Sequence, residues 1–144
     1  MKRYALDTSA LLTLRDDEPG AARVAEILDL AAKGKAKCYG CFISLMEVLY
    51  RVWRDEDEAS GRLAYQQCLA LHVEWVRESE DLLLLAAELK ATYPLSLADA
   101  WIAACARLHG ALLVHKDPEF GTLPIDQETL PLQAKKGKAR AARI

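Results

Sequence analysis

Short, nearly continuous apolar runs alternate along the chain with longer segments whose apolar residues return every three or four positions. The first kind of run suits a strand buried on both faces, the second a helix with one face against a core. Tyr4-Ala5-Leu6 predicts a first strand, and a helix opens directly behind it at Thr8-Ser9. Asp16 to Gly20 is a turn rich in helix-starting acids, and Val24, Ile27, Leu28 and Ala31 form the stripe of the helix that follows, closed by Gly34. Residues 38–43 predict a second strand, and Ser44 starts a helix through Leu49 and Val52 to about Arg54. A helix over 59–71 and a strand over 73–76 come next. Leu82, Leu85, Ala86 and Leu89 mark another helix, stopped by Pro94. Ser96 opens the next, with Ala98, Trp101, Ile102, Cys105 and Leu108 on its apolar face and Gly110 at its close. The run 111–114 then reads as a buried parallel strand.

Strands alternating with helices predict an α/β fold, helices flanking a mostly parallel sheet. At 144 residues, without internal repeat or linker, the chain is one domain over 1–132 with a basic, flexible tail at 133–144; five basic residues and no acid fall in that tail. A solvated tail is the preferred reading of it, with an RNA-contacting arm as the alternative.

Composition narrows the class. The chain is 52% hydrophobic and 28% charged, enough for a core and for solubility. Its longest plainly apolar run, Leu82 to Ala87, is far short of the about 20 residues of a membrane span. The basic N-terminus has no apolar stretch behind it because Asp7 interrupts it, so a cytoplasmic address is expected. Four cysteines fit reduced thiols better than a disulfide framework. The net charge of −2 neither supports nor excludes nucleic acid: four acids neutralised by cations leave 17 acids against 19 Lys and Arg.

Four acids occupy the places where an α/β sheet gathers ligands, beyond the carboxyl ends of its strands. Asp7 follows the first strand, and Asp117 the last apolar one. Glu47 falls in the first turn of the helix behind the second strand, and Asp99 in the first turn of the helix before the last. Carboxylates so gathered repel one another unless cations intervene. Mg²⁺ or Mn²⁺, which prefer oxygen ligands, are the natural choice, and such a site activates water for phosphodiester hydrolysis.

Each acid also has a bland reading, which for any one alone is the stronger. Ser44-Leu45-Met46-Glu47 and Ser96-Leu97-Ala98-Asp99 have capping-box spacing, and Asp7 and Asp117 suit turns. The functional reading rests on four coincidences at one edge. Other motifs carry less. The sequence holds no Walker loop, dinucleotide fingerprint or HExxH. Cys38 and Cys41 have CxxC spacing, but on a strand they face opposite ways. Cys68/His72 and Cys105/His109 have the helical spacing of zinc ligands, yet both cysteines suit buried helix faces better.

The stretch Leu6-Asp7-Thr8-Ser9-Ala10-Leu11-Leu12 resembles the opening of PIN-domain proteins, and Ile43-Ser44-Leu45-Met46-Glu47-Val48-Leu49 their second motif. Ser96 to Ala104, with Gly110 to Val114 behind it, is similar to the third, and Lys116-Asp117-Pro118-Glu119-Phe120 to the fourth. Within the family the likeness is greatest to the toxin ribonucleases of VapBC toxin–antitoxin pairs. The resemblance implies a three-layer α/β/α domain, Mg²⁺- or Mn²⁺-dependent endoribonuclease activity, a homodimer, and inhibition by a small VapB-like antitoxin. It makes Asp7, Glu47, Asp99 and Asp117 the catalytic, metal-binding acids, with Thr8 or Ser9 orienting the first carboxylate or a water.

One departure stands out. Two residues before the last acid the family commonly has Thr or Ser, and this chain has His115. An imidazole there can donate a bond to the neighbouring carboxylates, weaken metal binding if cationic, or pack inertly at the strand end. Arg15, Arg51, Arg54 and Lys116 are weaker candidates for phosphate contacts of an RNA substrate. Two rival functions remain on the residues alone: a PIN-like module that binds RNA or protein without cutting, and a metal-dependent phosphatase.

Overall fold

A computed structural model describes residues 1–132, so the basic tail lies outside the described residues. The chain runs β1 (Lys2–Leu6), α1 (Thr8–Arg15), α2 (Ala21–Ala32), β2 (Ala36–Cys41), α3 (Phe42–Asp55), α4 (Glu58–Leu69) and β3 (Glu74–Val76). It continues through α5 (Glu80–Thr92), α6 (Leu97–Leu108), β4 (Leu112–His115), a 3₁₀ turn (Pro118–Thr122) and β5 (Gln127–Thr129). The strands form one parallel sheet in the order β3-β2-β1-β4-β5.

β1 is central, and the strand order reverses beside it: β2 and β3 lie to one side, β4 and β5 to the other. Such a reversal opens a crevice at the carboxyl ends of the strands. Leu6 is level with both Gly40 and Val114, so the chain leaves β1, β2 and β4 at one height.

Alternation along each strand feeds two cores. Ala5, Tyr39, Cys41 and Leu113 face α5 and α6, whereas Tyr4, Leu6, Cys38 and Val114 face the layer of α1 to α4. This is the three-layer α/β/α architecture. Burying a side chain such as Ile102 or Leu113 stabilises by roughly 1.5–3 kcal/mol. α6, packed between α5 and the sheet, buries Ala100, Ala103, Ala104, Cys105 and Ala106. Such small side chains let the helix lie close to the strands, which brings its N-terminal turn, with Asp99, to the sheet edge.

Several elements differ from expectation in their bounds. β2 ends at Cys41 and α3 begins at Phe42, so Ser44 lies inside the helix and Glu47 in its second turn. The reason is that the Ser44 hydroxyl is buried against Thr8 and does not serve as a cap. β4 runs Leu112–His115, one residue on from the apolar run 111–114 and ending at His115. β5 was not foreseen; it is short and polar, and lies at the edge of the sheet. The four cysteines are free and buried, and Cys38 and Cys41 enter opposite cores. Among the described residues, no helix is long and apolar enough to cross a membrane.

Candidate active site

Asp7 ends β1 and caps α1: its Oδ2 accepts the Ser9 backbone N–H at 3.1 Å and also the Ser9 hydroxyl. Ser9 Oγ in turn accepts the backbone N–H of Lys116 at 2.9 Å. One hydroxyl therefore ties the residue after β1 to the segment after β4. The other Asp7 oxygen, Oδ1, is buried without any hydrogen-bond partner. Burial raises the Asp7 carboxyl above its ordinary range, against the lowering effect of the Ser9 bonds; the charges of Asp117 and Glu47 push it further up.

Glu47 reaches the same edge from α3. Its Oε1 accepts from Thr8 Oγ1 at 2.6 Å, and Arg51, one helical turn on, donates to Oε2 at 3.3 Å. The capping-box reading of Glu47 is thus overturned, since its carboxylate is held by α1 and by Arg51. Ser96 does cap α6, accepting the Asp99 backbone N–H at 3.2 Å. The return bond of a capping box is made by another residue: the Ser96 N–H donates to Glu119 Oε1 at 2.8 Å. The Asp99 side chain is left to the acids around it. Burial first, then contact with Asp117 and the charge of Asp7, push its carboxyl up to about 10.

Asp117 caps the 3₁₀ turn, its Oδ1 accepting the Glu119 N–H at 2.9 Å. Single ligand atoms of Asp99, Asp117 and Glu119 lie within 4.8 Å of one another. Glu119 is the acid the sequence reading missed. Its signal was its place two residues after Asp117, in the same turn. The Cys/His pairs considered for zinc form no group of three or more possible ligands among the described residues.

Of the supporting residues, Thr8 and Ser9 both bond carboxylates of the site, as described. His115 is buried and touches Asp117 only through the backbone: its Nδ1 accepts the Asp117 N–H at 3.0 Å. The expectation that its ring donates to a neighbouring carboxylate is corrected by this, because an N–H donor needs a bare ring nitrogen.

Beyond Ser9 lies a cleft of about 500 Å³ lined by Arg15, Tyr50, Arg51, Arg54 and Lys116 among others. All four basic candidates therefore meet at one place, each beside an acid. Arg15 pairs with Glu56 at 2.7 Å, Arg51 with Glu47, Arg54 with Asp55 at 3.2 Å and Lys116 with Glu18 at 3.4 Å.

The acids are suited to a divalent cation. A buried carboxylate oxygen without a partner, and a carboxyl forced up by its neighbours, are both relieved by a positive ion with oxygen preference.

A family model of the PIN domain matches residues 4–125. The chain belongs to the PIN-domain family. Solved structures of similar fold include VapBC2 of Rickettsia felis bound to a promoter DNA fragment, 20% identical, with a TM-score of 0.73 over 90% of this chain and 99% of that one. DNA-bound VapBC of Salmonella typhimurium is 20% identical, with a TM-score of 0.72 over 90% and 98% of the two chains. VapC20 of Mycobacterium tuberculosis, a sarcin–ricin-loop-cleaving toxin, is 18% identical, with a TM-score of 0.67 over 89% and 99%. Likeness at such identity is likeness of fold. No curated protein sequence matches the chain.

Proposed function

We propose that this PIN domain is a metal-dependent endoribonuclease of the VapC type, the toxin of a type II toxin–antitoxin pair. The observation that carries this reading is the meeting of Asp99, Asp117 and Glu119 within 4.8 Å, beside the unpartnered buried oxygen of Asp7. Asp7, Glu47, Asp99 and Asp117 would hold Mg²⁺ or Mn²⁺, with Glu119 as a further ligand. When bound, the cation would supply positive charge at the phosphodiester and a lowered pKa for the attacking water.

The chain's own residues do the positioning. Ser9 occupies Asp7 Oδ2, which leaves Oδ1 as the free ligand atom. Thr8 fixes Glu47 through Oε1. Arg15, Arg51, Arg54 and Lys116 would meet RNA phosphates by exchanging an internal carboxylate for a phosphate oxygen, a swap between like partners. The solved relatives include VapBC complexes, and this supports a small VapB-like antitoxin as the controlling partner. Homodimerisation and a cytoplasmic site of action complete the reading.

The test is cleavage of labelled total RNA in Mg²⁺, Mn²⁺ or EDTA by wild type, Asp7→Asn and Asp99→Asn, with p-nitrophenyl phosphate as a parallel substrate. Fragments that need metal and vanish in both variants are expected. RNA bound but left intact would favour a binding module, and release of p-nitrophenol with intact RNA a phosphatase.

A further inference from the structure

The acidic 3₁₀ turn is held by His115 and Gln127. His115 accepts the Asp117 N–H on Nδ1, so its proton is on Nε2, which donates to Gln127 Oε1 at 2.8 Å. The Gln127 amide nitrogen then donates to the carbonyls of Phe120 at 2.9 Å and Leu123 at 3.3 Å. The ring also packs edge-on against Phe120, with centroids 4.8 Å apart. The circuit is closed: every polar group in it is satisfied, and the two ring nitrogens and the amide allow only one assignment of protons. It begins at the backbone of Asp117, ends at Phe120 within the turn and Leu123 just after it, and so brackets Glu119. Gln127 is placed there by β5, whose pairing sets Gln127 beside Leu113 and Thr129 beside His115.

We propose that His115 and Gln127 are positioning residues that set the place of Asp117 and Glu119 relative to Asp99, and thereby the cation affinity of the site. This rests on the metal-site reading above. A hydroxyl at position 115 could accept from one backbone N–H. The imidazole does that and also carries the constraint across to β5, so this chain anchors the turn at both ends. Groups that orient metal ligands from behind commonly change metal affinity or activity by about 10–100-fold when removed.

The test measures Mn²⁺ affinity from the free-ion paramagnetic resonance signal, for the full chain and for His115→Leu, His115→Asn, Gln127→Leu and Asp99→Asn. Melting temperature is measured on each sample. Affinity is expected to weaken about 10–100-fold in His115→Leu and Gln127→Leu, and to fall between these and wild type in His115→Asn, which keeps an acceptor for the Asp117 N–H but loses the link to Gln127. Gln127→Leu decides the matter if His115→Leu does not fold, because it leaves the ring in place. A purely structural role would lower melting temperatures without moving Mn²⁺ affinity. That result, with binding still lost in Asp99→Asn, overturns the positioning role and keeps the acid site. Absence of Mn²⁺ binding by wild type overturns both.

Discussion

Thr8 and Glu47 are 39 residues apart in the chain and 2.6 Å apart in space, hydroxyl to carboxylate. This bond joins the first turn of α1 to the second turn of α3, and both residues are buried. Thr8→Val keeps the shape and removes the donor. The Glu47 carboxylate then has only Arg51 among the partners described. Leaving a buried acceptor short of a bond costs about 1–3 kcal/mol. The urea midpoint should fall accordingly with its slope unchanged. An unchanged midpoint would mean that water replaces the hydroxyl without cost.

The raised Asp99 carboxyl gives the metal-free protein an unusual pH dependence. Between the ordinary value of 3.8 and the folded value of about 10, the native state binds a proton that the unfolded chain releases. Stability is therefore greatest at the acidic end of this window and falls as pH rises. The upward shift of Asp7 has the same sign, while Asp57 and Glu128, both held below their ordinary values of 3.8 and 4.5, titrate below both pH values of the test. In EDTA, the melting temperature should be higher near about pH 5.5 than near about pH 8, by several degrees, a few degrees being what about 1 kcal/mol produces at this size. Asp99→Asn should flatten the slope and melt higher than wild type at the alkaline end. Calorimetric scans at the two pH values check both statements.

Gly40 lies on β2 with the Trp75 ring over it, and a Cβ at that position would clash with the ring. Gly40→Ala must displace a large, rigid side chain between β2 and β3. A cost of about 1–3 kcal/mol is expected from such overpacking. Trp75 fluorescence should shift with it, because the ring cannot stay in place.

Strand ends were legible because apolar runs stop where the chain leaves the sheet; Asp7 stands directly after one such run and Asp117 shortly after another. Asp99 was placed by Ser96, whose hydroxyl does cap the helix. Ser44 misled because a serine before an apolar stripe looks the same whether its hydroxyl caps a helix or meets a threonine 36 residues away. Gln127-Glu128-Thr129 has no apolar pattern, since an edge strand of three residues buries little, and so β5 was invisible. With β5 missing, the partner of His115 was invisible too. Glu119 was readable only as part of a motif. Its geometry depends on a bond to Ser96 across 23 residues, and local spacing does not encode that.

On the proposed reading, the acids at this sheet edge form a metal-dependent ribonuclease site. Its most direct test follows RNA cleavage and the free Mn²⁺ signal in the same samples as Mn²⁺ is titrated into EDTA-treated wild type and Asp99→Asn. Cleavage should rise with bound Mn²⁺ and saturate with it. In Asp99→Asn it should fall by at least about 100-fold, the scale on which a catalytic site loses function with one charge-stabilising group. Cleavage that persists in EDTA, or a folded Asp99→Asn that cuts at the wild-type rate, would contradict the account.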